Sequence, residues 1–375
     1  MSTAVVTSVR TELLVAPRVR RVRTMARALA SRLYLPAFSI MAVAVTLTAI
    51  GLASRWGGAS FAGAMTSLRV VAVGPVTLLL LGVFLMVERL RPAQRRSPFA
   101  RGYRHDLLFT VLNATLVAPL VVALTLSFSE VARTTMPWVV MPRLGLMPRW
   151  IVIALIFVAM DGCNWLAHLA NHRVRVLWRF HEVHHSQEDM SVLTVFRTHP
   201  LIHVSYLIAL IPGTVLLANG AVTTALLVAY AGVVAFAHSN TNLGFGPLGR
   251  LFVSPNYHRI HHRLDGPQDV NLGFALTIWD QLSHRAFFPT SETIRIDTGL
   301  AGRPLMVEQA GDRPRHLRVF AAQLVAPFRP IGEGSDPWVS PAGADRAYSS
   351  ERQLEQRARN DTDRAAHADA GVGEC

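Results

Sequence analysis

Histidine is the residue type in this chain whose pattern can do chemistry. It occurs 15 times, and most copies are clustered. One pair has a spacing of four residues, two triplets read HxxHH, and one further histidine follows an apolar run; these residues are His168, His172, His181, His184, His185, His258, His261, His262 and His238. Because positions i, i+3 and i+4 share one face of a helix, each cluster can direct two or three imidazoles at one point.

These clusters predict a metal site with two ions. Imidazole is a borderline ligand that suits iron, zinc and copper. The clusters together offer eight or nine nitrogens, which are too many for one ion and enough for two ions side by side. The isolated histidines are interpreted as structural or solvated; these are His105, His284, His316 and His367.

The composition is typical of a membrane protein. Of 375 residues, 51% are hydrophobic and only 16% are charged. The formal net charge is +13, and the arginines flank apolar runs, so the membrane surface is a better anionic partner than nucleic acid. The two cysteines, Cys163 and Cys375, are too few and too far apart for a disulfide framework or a CxxC site.

Six apolar runs are candidate membrane spans, since about 20 apolar residues cross the hydrocarbon core. They are Leu35–Ser54, Val70–Val87, Leu107–Phe128, Trp150–Met160 continued through Leu166, Leu201–Leu217 and Ala221–Ala237. The last two are interpreted as either a full hairpin or a re-entrant pair. Arginines in the N-terminal tail and in the second connection predict that both are cytoplasmic. By the same counting, every histidine cluster faces the cytoplasm.

Six short segments between residues 161 and 280 resemble the motifs of one protein family. They read DGCNWLAHLANH (161–172), LWRFHEVHHS (177–186), RTHP (197–200), FAHSN (236–240), PNYHRIHH (255–262) and NLGFALTIWD (271–280). The chain from about Asp161 to Asp280 thereby resembles the fatty acid hydroxylase / sterol desaturase superfamily of membrane di-iron enzymes. The resemblance implies an all-α fold, a multi-pass transmembrane helical bundle whose cytosolic helical cap holds two iron ions. It also implies that the nine clustered histidines are the ligands.

Three further residues are candidates to support the metal site. Some members of the family have a histidine where this chain has Asn242, so Asn242 is expected to ligate weakly, hold a water or leave one site more open. His199 precedes Pro200, which favours a helix N-cap and a supporting role. Asp161 lies within an apolar run, where an ionisable side chain is usually paired. It is expected either to accept a hydrogen bond from a ligand imidazole or to pair with Arg173 or Arg175.

The expected function is O2-dependent hydroxylation or desaturation of a C–H bond in a lipid, fatty-acyl or sterol-like substrate in the cell membrane. A carotenoid or ether-lipid oxygenase is the alternative within the enzymes. Outside them, a histidine-rich metal transporter or a zinc-bound membrane scaffold is the alternative. Since Gly244–Gly249 matches GxGxxG without a preceding strand, it predicts a glycine-rich turn rather than a nucleotide site. A separate electron donor, a ferredoxin or a small haem protein with its reductase, is therefore expected, and no nucleic-acid module is recognised.

The expected organisation has five parts along the chain. An Arg-rich cytoplasmic tail (1–34) precedes N-terminal spans (35–160) and a catalytic domain with two further apolar spans (161–289). A cytosolic extension (290–331) and a polar tail (332–375) follow, and the composition of that tail predicts disorder.

Overall fold

The computed structural model describes residues 75–95, 102–113, 117–138, 140–141, 146–213, 220–264, 269–290, 296–300 and 316–328. In these ranges the chain is helical, and its only β pairings are isolated bridges such as Phe252 with Leu276. The helices are α1 (Pro75–Leu90), α2 (Tyr103–Leu112), α3 (Ala118–Thr135), α4 (Arg149–Arg173), α5 (Arg175–His185), α6 (His203–Tyr206), α7 (Gly220–Ala237), α8 (Pro255–His261), α9 (Ile278–Leu282) and α10 (His316–Val325). The expectation of an all-α fold is met throughout this part of the chain.

Helix α4 is the long element on which the site is built. It has 25 residues, and within the described part of the chain it alone is long and apolar enough, by length and composition, to cross a membrane. Large apolar side chains remain exposed along it, among them Trp150, Leu155 and Leu166. A stripe of this kind is costly in water and suits contact with lipid.

The predicted membrane spans correspond only in part to helices of the described residues. Leu35–Ser54 lies outside the described residues, Val70–Val87 is described only from Pro75, and Leu107–Phe128 falls on α2 and α3. The run ending at Ala237 is helix α7. The run Leu201–Leu217 is described only as far as residue 213, and there 200–210 is a short apolar helical segment made of a 3₁₀ turn, the four-residue α6 and another 3₁₀ turn. These tight turns follow from short-range bonds such as that from Ile202 N–H to the His199 carbonyl at 3.0 Å. The full hairpin and the re-entrant pair both stay predictions.

The two short helices that follow the long ones deliver the histidine triplets. Val174 is extended (φ −101°, ψ 113°), so the chain turns sharply between α4 and α5. Helix α8 is capped by Ser254, whose hydroxyl accepts from the Tyr257 N–H at 3.2 Å, and it has Pro255 at its first position. Both helices end in their HxxHH triplet, which brings the two triplets to helix ends that can face each other.

Candidate metal centre

The structure brings together all nine histidines that the sequence singled out. They form two groups in which the candidate ligand atoms lie within 4.8 Å of one another. The first histidine group is His168, His172, His181, His185 and His261, and the second histidine group is His184, His238, His258 and His262. Every one of these side chains is buried.

Each HxxHH triplet is divided between the groups. The i, i+4 pair of α5, His181 and His185, lies in the first group, while His184 lies in the second. In the other triplet the i, i+4 pair is in the second group and His261 crosses to the first. Helix geometry explains this, because residues i+3 and i+4 point about 100° apart around the axis. The groups are therefore direct neighbours, and the rings of His185 and His262 stack across their boundary at 4.4 Å.

Backbone carbonyls orient two imidazoles of the first histidine group and one of the second. Nδ1 of His168 lies 2.8 Å from the Leu272 carbonyl, Nδ1 of His261 lies 2.9 Å from the Val270 carbonyl, and Nδ1 of His238 lies 2.8 Å from the Val234 carbonyl. A carbonyl oxygen only accepts, so each Nδ1 must carry the hydrogen. The lone pair of each neutral ring then sits on Nε2, the atom that faces the group.

The Nε2 atoms converge closely. Nε2 of His181 lies 3.0 Å from that of His168 and 3.2 Å from that of His185. In the second group, Nε2 of His238 lies 3.0 Å from those of both His184 and His258. Lone pairs directed at one point repel each other, and a cation between them removes that repulsion.

Burial keeps the candidate ligands outside α4 neutral. Removal from water, followed by the repulsion of neighbouring imidazoles, lowers the pKa of His181, His184, His185, His258 and His262 well below its usual range. Burial lowers the pKa of His238 to about 4, against the bond to the Val234 carbonyl, which raises it. Metal binding requires the neutral imidazole, so these rings are in the right protonation state at neutral pH.

Two buried carboxylates fix the loop that carries the orienting carbonyls. Asp280 accepts four hydrogen bonds, from Trp165 Nε1 (2.8 Å), Tyr257 OH (3.0 Å) and the N–H groups of Leu272 (3.0 Å) and Gly273 (2.8 Å). Burial raises the pKa of Asp280 to about 6, while these donors oppose the rise. The side chain is therefore a carboxylate at neutral pH.

The hydrogen-bond partners of Asp161 differ from both expectations, a ligand imidazole and a nearby arginine. Asp161 accepts from Tyr230 OH at 2.6 Å, Trp279 Nε1 at 2.9 Å, Ala275 N–H at 3.0 Å and Leu276 N–H at 3.2 Å. The imidazole of His168 instead bonds to a carbonyl. Of the proposed arginine partners, Arg173 pairs with Asp269. The two oxygens of Asp161 thus tie α4 to α7, to the loop before α9 and to α9 itself.

His199 and Asn242 lie outside both groups. Nδ1 of His199 accepts from the Leu201 N–H at 3.2 Å, which is the expected N-cap, and Nε2 donates to the Leu324 carbonyl at 3.1 Å. Asn242 is exposed, and its side-chain oxygen accepts from Asn256 at 3.0 Å. Helix α7 ends at Ala237, so His238 and Asn242 do not share a helix face. The roles expected for Asn242, as a weak ligand, a holder of water or the cause of a more open site, stay predictions.

A buried ion pair supports the end of α5. Nε of Arg197 donates to Asp106 at 2.5 Å, and its guanidinium also donates to the Gly102 carbonyl at 2.8 Å. Both charged side chains are at most 1% exposed. Sequence reasoning noted Arg197 within RTHP but missed Asp106, and it noted Asp280 within NLGFALTIWD without a role. The signal for both was an acidic residue next to apolar residues in the sequence, since a buried acidic side chain is usually paired.

The donor set fits a pair of transition-metal ions. In the described residues each group consists of histidine alone, without carboxylate or thiolate. Structural zinc sites typically take four ligands, often with thiolate, whereas nine imidazoles in two adjoining groups suit two ions of iron, copper or zinc. The first group can hold one ion and the second group the other.

Comparison with known proteins places this site within a family domain. Residues 153–284 match the fatty acid hydroxylase family model. The chain is 33% identical over 177 residues to ornithine lipid hydroxylase OlsE of Rhizobium tropici, a match covering 44% of this chain and 46% of that protein. It is 31% identical over 134 residues to human alkylglycerol monooxygenase, covering 34% of this chain and 28% of that protein. The zebrafish (Danio rerio) alkylglycerol monooxygenase is 29% identical over 147 residues, covering 37% and 31%.

These matches span less than half the length of each of these relatives. No solved structure matches the chain. The matched segment contains all nine clustered histidines, together with Asp161 and Asp280. Residues 153–284 of this chain thus form a domain similar to the fatty acid hydroxylase family.

Proposed function

We propose that this protein is a membrane di-iron monooxygenase that hydroxylates a C–H bond of a lipid with O2. The observation that carries the proposal is the pair of adjoining all-histidine groups inside a fatty acid hydroxylase domain. Relatives named for hydroxylation of ornithine lipid and oxygenation of alkylglycerol support a lipid substrate. Hydroxylation is preferred to desaturation because the named relatives are a hydroxylase and monooxygenases.

Iron is the metal that matches the chemistry required. When bound, two iron ions supply the electrons that activate O2 and the oxidising power for an unactivated C–H bond, which no side-chain acid or base can attack. The protein's part is to hold and shield them. The carbonyls of Leu272, Val270 and Val234 fix three ligand rings, and Phe274 packs on His168 at 4.8 Å on one side of the site. Apolar packing of this kind excludes water from the reacting centre.

We also propose the membrane arrangement that the sequence predicts. The exposed apolar stripe of α4 faces lipid, and a lipid tail enters the site sideways from the bilayer. The N-terminus and the metal centre lie on the cytoplasmic side of a multi-pass protein in the cell membrane. A ferredoxin or a small haem protein with its reductase delivers electrons from that side.

Other functions are less well supported. A metal transporter needs ligands spaced along a pathway, whereas the two groups here adjoin at the ends of α4, α5 and α8. A zinc scaffold or a carotenoid oxygenase is not favoured by the named relatives. The match to the ornithine lipid hydroxylase covers 44% of the chain, whereas the matches to the alkylglycerol monooxygenases cover 34% and 37%. Because the longer match is to the relative that is not named for an ether lipid, we propose a lipid substrate without restricting it to ether lipids.

The test is the metal content of the detergent-purified protein. We expect about two iron ions per chain, with loss of iron in both His184→Ala and His261→Ala, because each removes a ligand from a different group. His284→Asn is the matched control: His284 is exposed, lies outside both groups and has a φ of 57°, which asparagine also adopts. It should retain both ions and the O2-dependent oxidation of lipid by reductant-supplied protein.

A different metal result would reject the proposal. One tightly held zinc ion that is unaffected by His261→Ala would exclude a shared two-metal site and favour the zinc scaffold. Two bound ions without oxidation of any membrane lipid would support the two-metal site but reject the monooxygenase activity.

A further inference from the structure

Asn171 is a buried polar side chain whose amide makes no regular hydrogen bond in the described residues. It lies on α4 directly before His172 and is 0% exposed. Its amide nitrogen and its amide oxygen both lack a hydrogen-bond partner within the described residues. Buried polar groups in proteins are nearly always paired, and one that is not costs stability. A residue kept at such a cost beside a metal ligand needs another explanation.

Its surroundings place it beside the first histidine group. Asn164, His168 and Asn171 are spaced i, i+4 and i+7, so they share one face of α4. The hydroxyl of Tyr206 lies within reach of the Asn171 amide, although no hydrogen bond of regular geometry joins them. The ring of Tyr206 packs edge-on against Phe274 at 5.8 Å, and Phe274 packs against His168 at 4.8 Å.

Asn164, on the same face, shows what a structural asparagine looks like here. Its amide donates to the Met160 carbonyl at 3.1 Å and also meets the Tyr230 hydroxyl. Tyr230 in turn donates to Asp161 at 2.6 Å. Asn164 and Tyr230 therefore have the additional partners Met160 and Asp161, whereas the Asn171 amide, nearer the end of the helix, has no regular hydrogen bond in the described residues beyond its approach to Tyr206.

We propose that Asn171 and Tyr206 bind a polar group of the lipid substrate beside the first histidine group. This inference rests on the proposed lipid oxidation. Asn171 leaves both a donor and an acceptor unpaired, so the group that fits offers both, as an amide or a hydroxyl does. An ether or ester offers only acceptors and leaves the Asn171 oxygen unpaired. The substrate class is therefore a lipid with an amide or hydroxyl group close to the carbon that is oxidised.

The test measures lipid binding and protein stability together, using the full metal-loaded chain without O2. The probes are hexadecanamide and hexadecyl methyl ether, which share chain length and differ in the polar group. We expect the amide to bind about tenfold more tightly than the ether. Asn171→Leu and Tyr206→Phe should each remove most of that preference. The thermal midpoint of Asn171→Leu should equal or exceed that of the wild type, because a costly unpaired amide is replaced by an apolar side chain of similar size.

Asn164→Leu is the matched control on the same face of α4. It breaks an internally paired amide, so its thermal midpoint should fall while the preference for the amide probe persists. Asn171 and Tyr206, as the proposed site for the polar group of the lipid, are called the anchor below. Equal binding of the two probes by the wild type would overturn the anchor. So would a lower midpoint of Asn171→Leu with an unchanged preference, since Asn171 would then be structural.

The anchor and the proposed function can fail separately. A protein without iron or lipid oxidation that still prefers the amide through Asn171 would support the anchor and reject the monooxygenase. A protein that holds two iron ions and oxidises lipid but shows no amide preference would reject the anchor alone.

Discussion

Asp280 is connected to the candidate ligand His168 through one residue of backbone. The N–H of Leu272 donates to Asp280 at 3.0 Å, and the carbonyl of the same residue accepts from Nδ1 of His168 at 2.8 Å. A carboxylate that touches no ligand thereby sets the position of an imidazole. Outer contacts of this kind fix the tautomer and orientation of metal ligands.

Asp280→Asn should loosen this connection. The amide NH2 would replace one of two oxygens that each accept two hydrogen bonds, so it would face donors without an acceptor. We expect a loss of about 2 kcal/mol in the free energy of unfolding and weaker iron retention in the first histidine group. Chelator titration and thermal unfolding measure the two effects. Asp297→Asn, at an exposed position, is the control and should change neither.

Asn271 sets the direction of the two carbonyls that flank it. Its φ is 53°, and its side chain donates to the carbonyls of Tyr257 and Phe287 at 2.9 and 2.8 Å. Asn271→Ala should displace the carbonyls of Val270 and Leu272, and so reduce iron affinity about 10- to 100-fold in the first histidine group. Asn271→Gly keeps the left-handed backbone and should lose less. Equal iron retention in both variants and the wild type would show that the loop does not orient the ligands.

The ion pair of Arg197 and Asp106 should be a large contributor to stability once formed. Arg197→Met removes the charge partner of the buried Asp106 carboxylate, to which the neutral Gln187 amide still donates, and loss of one partner costs about 3–5 kcal/mol in such pairs. We expect a corresponding fall in unfolding free energy, with partial recovery in the double variant Arg197→Met/Asp106→Asn. The matched control is Arg133→Met, since Arg133 pairs with Glu130 on an exposed surface. It should leave stability unchanged, and an equal loss in both variants would reject the assignment.

The grouping of the histidines within each cluster could be predicted from sequence because their spacing is local. Positions i, i+3 and i+4 on a helix carry the information needed to group His181, His184 and His185. The division of each triplet between two groups also depends on the turn at Val174 and on the return of the chain into α8. Those are relationships between distant segments, and helical spacing does not encode them.

The supporting residues were harder to assign for the same reason. Asp161 bonds to Ala275 and Leu276, which lie 114 and 115 residues further along the chain. Neither of its expected partners, an adjacent imidazole or a nearby arginine, required such a contact. Hydropathy identified the apolar run that begins at Leu201 but not its local form, because apolar content does not encode the bonds that give 200–210 its 3₁₀ turns.

A pH dependence should arise at His199, away from the metal centre. Burial lowers the pKa of His199 to about 4, opposed by its bond to the Leu324 carbonyl. Above pH 6.5 the ring is neutral in folded and unfolded chains, and its contribution to stability is complete. As pH falls from 6.5 toward 4, the unfolded chain takes up the proton first, so stability is lost.

Between pH 7.5 and 5.5 this residue should account for about 1 kcal/mol of that loss. Protonation of Nδ1 would also remove the acceptor that caps the turn at Leu201. His199→Asn keeps an N-cap acceptor and cannot titrate, so the fall in unfolding free energy over this interval should be smaller in the variant by about that amount. Identical pH profiles for the variant and the wild type, measured by thermal unfolding in the same detergent, would show that His199 is not buried in its neutral form.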